Sequence, residues 1–389
     1  MKASAVREVV RRKRKEYQKA SKGGKKRLLD ELEALIGYHR KSLIRLLAQA
    51  RGGKKQPVKR ATRESRYEVI RPKLKVLWAT SFYACGKRLA PFLPELTAVM
   101  KRCGEIVTTP GEEALLTSIS AATIDRMLVG ERKALGVRGR TLTKPGTLLR
   151  SKIPIRTFAD WDENEPGFLE IDLVGHCGGS GVGEFLYTLD MTDVYSGWTV
   201  LGGMKGRGER GALAAVKRAS GYLPFPVKGI DSDNDSAFIN HHMNKYCAEE
   251  RITFTRSREY KKNDQCHVEQ KNWSVVRQFI GYRRFETDEE LSVLQSIYPL
   301  IMRYHNFFSP TMRLCRKERD GSKVTKRYSV ATTPHQKLMN SDGHIDDAAK
   351  EALKKEYESI NPAELLREIG KLLRKLEAMA DAAKRVTRR

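Results

Sequence analysis

Residues 168–174 read Phe168-Leu-Glu-Ile-Asp-Leu-Val174, a β-rich run with Asp172 set between Ile171 and Leu173. Strand signals begin only here, after Pro166. Further candidates follow at Phe185 to Met191, Trp198 to Leu201, Val227 to Asp231 and Ile252 to Thr255. The Gly-rich residues 178–183 suit a turn after the first strand. Helical patterns run from Glu209 to Ser220, from about Ser236, and over 264–282 and 287–306. Three consecutive strands, then strands alternating with helices, predict an α/β domain with a mixed sheet covered by helices.

The flanks differ in kind. The chain has 389 residues and 44.2 kDa, more than one hydrophobic core organises, so two to four domains are expected. Its 40% apolar content excludes wholesale disorder, and its net charge of +27 and pI near 9.9 call for a polyanionic partner, with nucleic acid first among them. No stretch approaches the 18 or so apolar residues of a transmembrane helix. The start, Met1 to Lys26, is basic without an apolar segment, unlike a secretory signal. Six cysteines with no C-x-x-C pair argue against a structural zinc site or a disulfide scaffold and suit a reducing cytoplasm.

More than half of the charge lies in residues 1–60, which hold 20 Lys/Arg against 5 Asp/Glu, a net of +15. Residues 2–26 read equally as a disordered basic tail. From Lys26, Leu28, Leu29, Leu32, Leu35 and Ile36 recur at helical spacing, Gly37-Tyr38 interrupts, and Leu43, Ile44, Leu46 and Leu47 follow. This is the pattern of a helix-turn-helix, whose second helix presents His39, Arg40, Lys41 and Arg45 to DNA. Residues 1–66 form that module. Residues 52–57 read as a hinge within it. Residues 67–134 make a second helical block, and its last helix from about Ser120, with Thr123 and Arg126, reads as a second helix-turn-helix. Residues 135–163 form a basic linker, 164–309 the α/β core, 310–345 a small basic β-rich unit, and 346–389 a helical tail. In that tail Leu365, Ile369, Leu372, Leu376 and Met379 keep heptad spacing for only two heptads, so packing against its own chain is expected.

A chain this basic carries a distinct acidic set inside its core. Asp172 lies in the first strand, Asp231-Ser-Asp233-Asn-Asp235 ends the strand Val227 to Asp231, and Glu269 opens a long helix. Asp233 and Glu269 are separated by 35 residues. Carboxylates of this kind suit magnesium, a hard cation with oxygen ligands, and two such ions about 3.5–4 Å apart can serve the attacking and departing oxygens of a phosphodiester. Any one of these acids alone reads as an ordinary strand-end or helix-start residue. The three together, in this order, point to a metal-dependent site.

Residues of about 164–309 resemble the integrase core, the ribonuclease-H-like catalytic domain of retroviral integrases and bacterial insertion-sequence transposases. The resemblance rests on Glu170-Ile-Asp-Leu173, Leu189-Asp-Met-Thr-Asp-Val-Tyr-Ser-Gly197, Asp233-Asn234 with Phe238, and Val268-Glu-Gln-Lys-Asn272. The 35-residue gap matches the family's Asp-to-Glu spacing, whereas Asp235 stands where the family usually has Gly. Asp231 and Asp235 are therefore rival acids, though the spacing favours Asp233. With the upstream helices, the whole chain is similar to an insertion-sequence transposase. The resemblance implies a catalytic, metal-binding trio of Asp172, Asp233 and Glu269, with Mg²⁺ as cofactor and Mn²⁺ able to substitute.

It further implies binding to double-stranded DNA, both terminal inverted repeats and target. Lys261, Lys262, Lys271 and Arg277 would contact the substrate ends, at least a dimer would assemble on DNA, and no membrane would be involved. The expected place of action is the prokaryotic cytoplasm. The expected reaction is cleavage at the element ends and joining of the 3′-hydroxyls to target DNA. Two other readings stand beside it: an inactive, domesticated DNA-binding regulator, and a ribonuclease-H-type nuclease. His267, two residues before Glu269, reads as structural.

Overall fold

The computed structural model describes residues 3–48, 65–134, 164–257, 266–320, 323–341 and 343–386. The chain falls into two compact units, Met1–Ser65 and Arg66–Arg389. The expected hinge at 52–57 and the linker at 135–163 lie outside the described residues.

The first unit is three helices, α1 (Ala3–Lys19), α2 (Lys22–Ile36) and α3 (Arg40–Ala48). Val6 and Val10 of α1 join Leu28, Leu29, Leu32, Ile36, Leu43 and Leu47 in one small core. Residues 3–19 are therefore a packed helix and no disordered tail: spaced valines among the charges provide the buried stripe. Ser21 caps α2, and Gly37, at φ 73°, takes the left-handed turn that ends it.

The second unit begins with a short 3₁₀ turn at Glu68–Ile70, then α4 (Arg71–Thr80), α5 (Gly86–Arg102), α6 (Pro110–Ser118), α7 (Ala121–Met127) and α8 (Val129–Ala134). These helices do not stand apart as a module. They share one core with the sheet that follows. Phe82 stacks on Phe279 at 4.0 Å between centroids, and the Tyr304 hydroxyl donates to the Thr80 carbonyl at 2.5 Å.

The sheet has five strands, β1 (Phe168–Gly175), β2 (Leu186–Asp193), β3 (Thr199–Lys205), β4 (Gly229–Ser232) and β5 (Thr253–Arg256), ordered β3-β2-β1-β4-β5. The first three are antiparallel, and β4 and β5 run parallel to β1. Between the strands lie α9 (Glu209–Ser220) and α10 (His241–Glu249). After them come α11 (Cys266–Lys271), a π-helical segment at Asn272–Arg277, α12 (Gln278–Ile280) and α13 (Asp288–Phe308). This is the mixed, helix-covered sheet expected from the strand pattern.

Paired residues share a face, so register divides the sheet in two. One face is apolar: Leu169, Ile171, Leu189, Met191, Val200 and Ile230 are buried, and α9 packs on it through Ala212, Ala215, Val216 and Ala219. The other face is polar and also buried. It carries Glu170, Thr188, Asp190, Thr192, Thr199, Asp231 and Thr255, and α11 and α13 cover it.

Past the sheet, β6 (Leu314–Asp320) and β7 (Lys323–Tyr328) form a two-stranded antiparallel ribbon, followed by α14 (Pro334–Met339), a helix the sequence pattern did not announce. The tail is α15 (Asp347–Ser359) and α16 (Pro362–Val386). Leu365, Ile369 and Leu376 bury themselves in the common core, and α16 packs on α13 and α4. The short heptad is an intramolecular seam. Among the described residues no helix is long and apolar enough to cross a membrane.

Candidate active site

The polar face of the sheet is organised in rows. Glu170 of β1 pairs in register with Asp231 of β4, which places Asp172 and Asp233 together one row further on. Asp190 of β2 lies opposite Asp172 on its other side. Three neighbouring strands thus bring acids that are far apart in sequence to one place.

Asp172 is held from both sides. Its Oδ1 accepts the Leu173 N–H at 2.7 Å, and its Oδ2 accepts Asn272 Nδ2 at 2.6 Å. Burial, then the charge of Asp233, push its carboxyl well above the ordinary carboxylate range. Burial raises Asp233 as well, eased by the nearby Arg207 guanidinium. Of the three rival acids, Asp233 is the one whose charge acts on Asp172. Asp231 accepts the Thr255 hydroxyl at 2.6 Å, and Asp235 is paired with Arg207 and accepts the Ala237 N–H at 3.0 Å.

Glu269 lies in α11, exposed, three residues before the Asn272 that grips Asp172. The structure does not gather it with the pair: among the described residues no group of three His, Cys, Asp or Glu side chains stands ready to hold a metal ion. Of the expected trio, Asp172 and Asp233 lie near enough for the charge of one to act on the other. Two crowded carboxylates fit a hard divalent cation, because a positive charge between them relieves the repulsion that lifts Asp172. Magnesium also needs few protein oxygens, since it keeps several waters.

Glu170 is a residue whose role the sequence did not reveal. Fully buried, it accepts the His267 and Val268 backbone N–H groups, both at 2.8 Å, and so holds the start of α11 against β1. A carboxylate suits a helix N-terminus on dipole and hydrogen-bond grounds. Burial raises its carboxyl well above the usual range, opposed by those two N–H groups. Its position two residues before Asp172 on a strand, hence on the same face, was the available signal.

Lys271 requires a correction. Expected on a DNA-facing surface, it is buried, with Nζ 2.6 Å from His305 Nε2 of α13 and its charge acting on Asp190. Burial lowers the Lys271 ammonium to about 7 and raises Asp190 to about 7. The reason is the layering: Lys271 lies on the side of α11 that faces the sheet and His305 of α13, while Glu269 and Gln270 take the solvent side. Arg277 is also committed within the protein. Its guanidinium donates to the carbonyls of Gly175 at 2.8 Å and Gly281 at 3.2 Å and lies over Tyr282. His267 is lowered to about 4, mainly by burial, and stays neutral. Lys261 and Lys262 lie outside the described residues.

In the first unit, His39, Lys41 and Arg45 are exposed. Arg40 is turned back onto α2, paired with Asp30 and donating to the Lys26 carbonyl at 3.3 Å. It stabilises the turn and is not displayed with its neighbours. In the second unit Arg126 is exposed and donates to the Thr123 hydroxyl at 3.0 Å, which also meets Ser120 Oγ.

Residues 162–262 match the family model described as the integrase core domain, a member of the polynucleotidyl transferase superfamily. The uncharacterized protein y4rM of Sinorhizobium fredii (strain NBRC 101917 / NGR234) is 38% identical over 320 residues, which cover 82% of this chain and 90% of that protein. Among solved structures, the HTLV-2 integrase catalytic core domain in complex with magnesium, dimeric form, is 14% identical at a TM-score of 0.29, covering 38% of this chain and 91% of its own. An integrase in the simian T-cell lymphotropic virus intasome in complex with PP2A regulatory subunit B56 gamma is 16% identical at a TM-score of 0.32, covering 52% of this chain and 67% of its own.

Proposed function

The chain belongs to the family of the Sinorhizobium fredii protein y4rM and carries an integrase core domain, and from that premise we propose that it is a DNA transposase. It binds the terminal inverted repeats of a mobile element, cleaves at each end, and joins the freed 3′-hydroxyls to target DNA. The observation that carries this reading is the Asp172–Asp233 pair, two half-buried carboxylates, one on β1 and one just past the end of β4, crowded together at the polar face of the sheet.

Asp172 and Asp233 would hold Mg²⁺, or Mn²⁺ in its place, with Glu269 as the third ligand once DNA draws α11 and the strand ends together. Bound there, the cations supply stabilisation of the charge on the attacking and departing oxygens of the phosphodiester. Asn272 fixes the free oxygen of Asp172, and the Leu173 N–H fixes the other, so the carboxylate is aimed before substrate arrives. Arg207 moderates the negative charge beside Asp233. Glu170 sets the start of α11, and so the height of Glu269 and Asn272 above the sheet. His39, just before α3, and Lys41 and Arg45 of α3 reach DNA from the first unit, and Arg126 does so from α7. Two ends must be joined together, so at least a dimer acts on DNA.

Cleavage and joining on linear duplexes taken from the flanks of the gene test this. Glu269→Gln and Asp172→Asn are expected to bind those duplexes like the wild type while cleavage falls about a thousandfold or more, roughly 4 kcal/mol of barrier. Undiminished cutting by either variant would overturn the site. A second reading, a DNA-binding regulator on an inactive core, is favoured by one observation: among the described residues no group of three or more His, Cys, Asp or Glu side chains stands ready for a metal ion. It predicts end binding with no magnesium-dependent cutting by the wild type.

A further inference from the structure

The β6–β7 ribbon stands out from the rest of the second unit. Its described side chains are exposed on both strands, among them Arg313, Arg316, Lys326 and Arg327. Between Arg313 and Tyr328 the sequence holds seven Lys/Arg against two acids. Register compounds the charge, setting Arg316 opposite Arg327 and Lys317 opposite Lys326 on successive rungs. Like charges directly opposite each other destabilise a strand pair, and a two-stranded ribbon with nothing on its faces is marginal to begin with. Among the described residues of the ribbon, Arg316 pairs with Glu318 at 2.6 Å, which offsets part of this. A polyanion lying along the ribbon removes the repulsion.

The root of the ribbon is firm and lies near the start of α11. Thr311 and Thr332 exchange backbone hydrogen bonds at 2.8 and 3.0 Å, and the Arg313 N–H donates to Ser329 Oγ at 3.0 Å. The charges of Arg313 and of Lys337 on α14 both reach His267, at the start of the helix that bears Glu269. A two-stranded ribbon is also one of the shapes the DNA major groove admits.

We propose that the β6–β7 ribbon, continued at its root by Arg313 and Lys337, is a docking surface for the sugar-phosphate backbone of duplex DNA, which it leads toward the Asp172–Asp233 pair. The choice of DNA as the polyanion rests on the transposase reading; the surface itself rests on the ribbon's charge, exposure and position.

The test uses the full-length protein carrying Arg316→Gln, Lys326→Gln and Arg327→Gln together. The control carries Lys354→Gln, Lys355→Gln and Lys371→Gln, three exposed lysines of α15 and α16. Affinity for a random-sequence duplex of about 40 base pairs is measured by fluorescence anisotropy across a salt series, in DNA and in RNA form. Each lost phosphate contact removes about 0.9 from the slope of log affinity against log salt, so the ribbon variant is expected to bind DNA about tenfold or more weakly, with a slope shallower by about 2–3. The control is expected to match the wild type within about twofold, and all three proteins to melt together. A ribbon variant with wild-type affinity and slope overturns the inference, whatever the cleavage assay shows. So does an equal loss in the control, or a loss confined to the RNA duplex. Absence of cleavage by a wild type whose DNA affinity falls with the ribbon charges bears on the transposase reading and leaves this surface standing.

Discussion

Asp172 and Asp233 tie electrostatics to stability in a measurable way. Both carboxyls are raised in the folded chain, so it holds protons that the unfolded chain has already released. Their contribution favours the fold at low pH and is lost as pH climbs from the ordinary carboxylate range through the raised folded values. At pH 8 without divalent cation, Asp233→Asn is therefore expected to stabilise, by about 1–2 kcal/mol, which is about 2 °C or more in Tm. At pH 4 the gain disappears, and magnesium at pH 8 stabilises the wild type more than the variant. Melting curves at the two pH values check this; a variant less stable at pH 8 would contradict a crowded pair. Glu170 gives the companion case. Glu170→Ala strands two buried N–H groups at the start of α11, at a cost of about 1–3 kcal/mol, and is expected to slow strand cleavage more than tenfold with duplex affinity unchanged. Glu170→Gln keeps an accepting oxygen and should recover most of the rate in single-turnover assays.

At the level of elements, the edge strand β3 is closed by a side chain. Asn306 of α13 accepts the Thr199 N–H at 2.9 Å and donates to the Thr199 carbonyl at 2.8 Å, acting as the missing ladder partner. Asn306→Ala leaves both groups buried and unpaired, and a loss of about 2–4 kcal/mol is expected. Calorimetry would read it as a clear drop in Tm, and an unchanged Tm would show that water replaces the amide without cost. The five strands and the helices α9 and α13 were legible because their apolar residues keep the period of the element they form. The conversion to π-helix at Asn272 was not, since no residue there differs from an ordinary helix former. Lys271 was misread for a related reason: a lysine on a helix usually means solvent, and local sequence does not show that α13 will close over it. Helix α1 was open to doubt because Val6 and Val10 sit among so many charges that composition outweighs spacing. The acids Asp172 and Asp233 were legible by type and spacing. Glu170 was visible but mute, because its partners are backbone N–H groups nearly a hundred residues away.

On the scale of the whole molecule, the two units each have their own core. Residues 66–389 are therefore expected to fold alone with an unchanged Tm. Without residues 1–65 they should bind a terminal-repeat duplex and a random duplex almost equally, whereas the full chain is expected to prefer the repeat. Competition binding measures that ratio, and a truncated protein that keeps the preference would move repeat recognition to the second unit. The excess of basic residues in the first sixty positions, a net of +15, is the ground for expecting the preference and the chemistry to separate in this way.

Helix α16 closes over helices laid down some three hundred residues earlier. Arg367 of α16 pairs at 2.6 Å with Glu105, just past α5, and Arg102 of α5 donates at 3.3 Å to the carbonyl of Tyr357 in the preceding α15. Order of synthesis follows from this. While the polypeptide is still emerging from the ribosome, α4 and α5 wait with their outer flank uncovered, and the sheet that bears the acids lacks its outermost brace. A nascent chain halted before α16 is thus a candidate for chaperone capture, and the fold of the second unit is complete only when translation has passed the last turn of that helix.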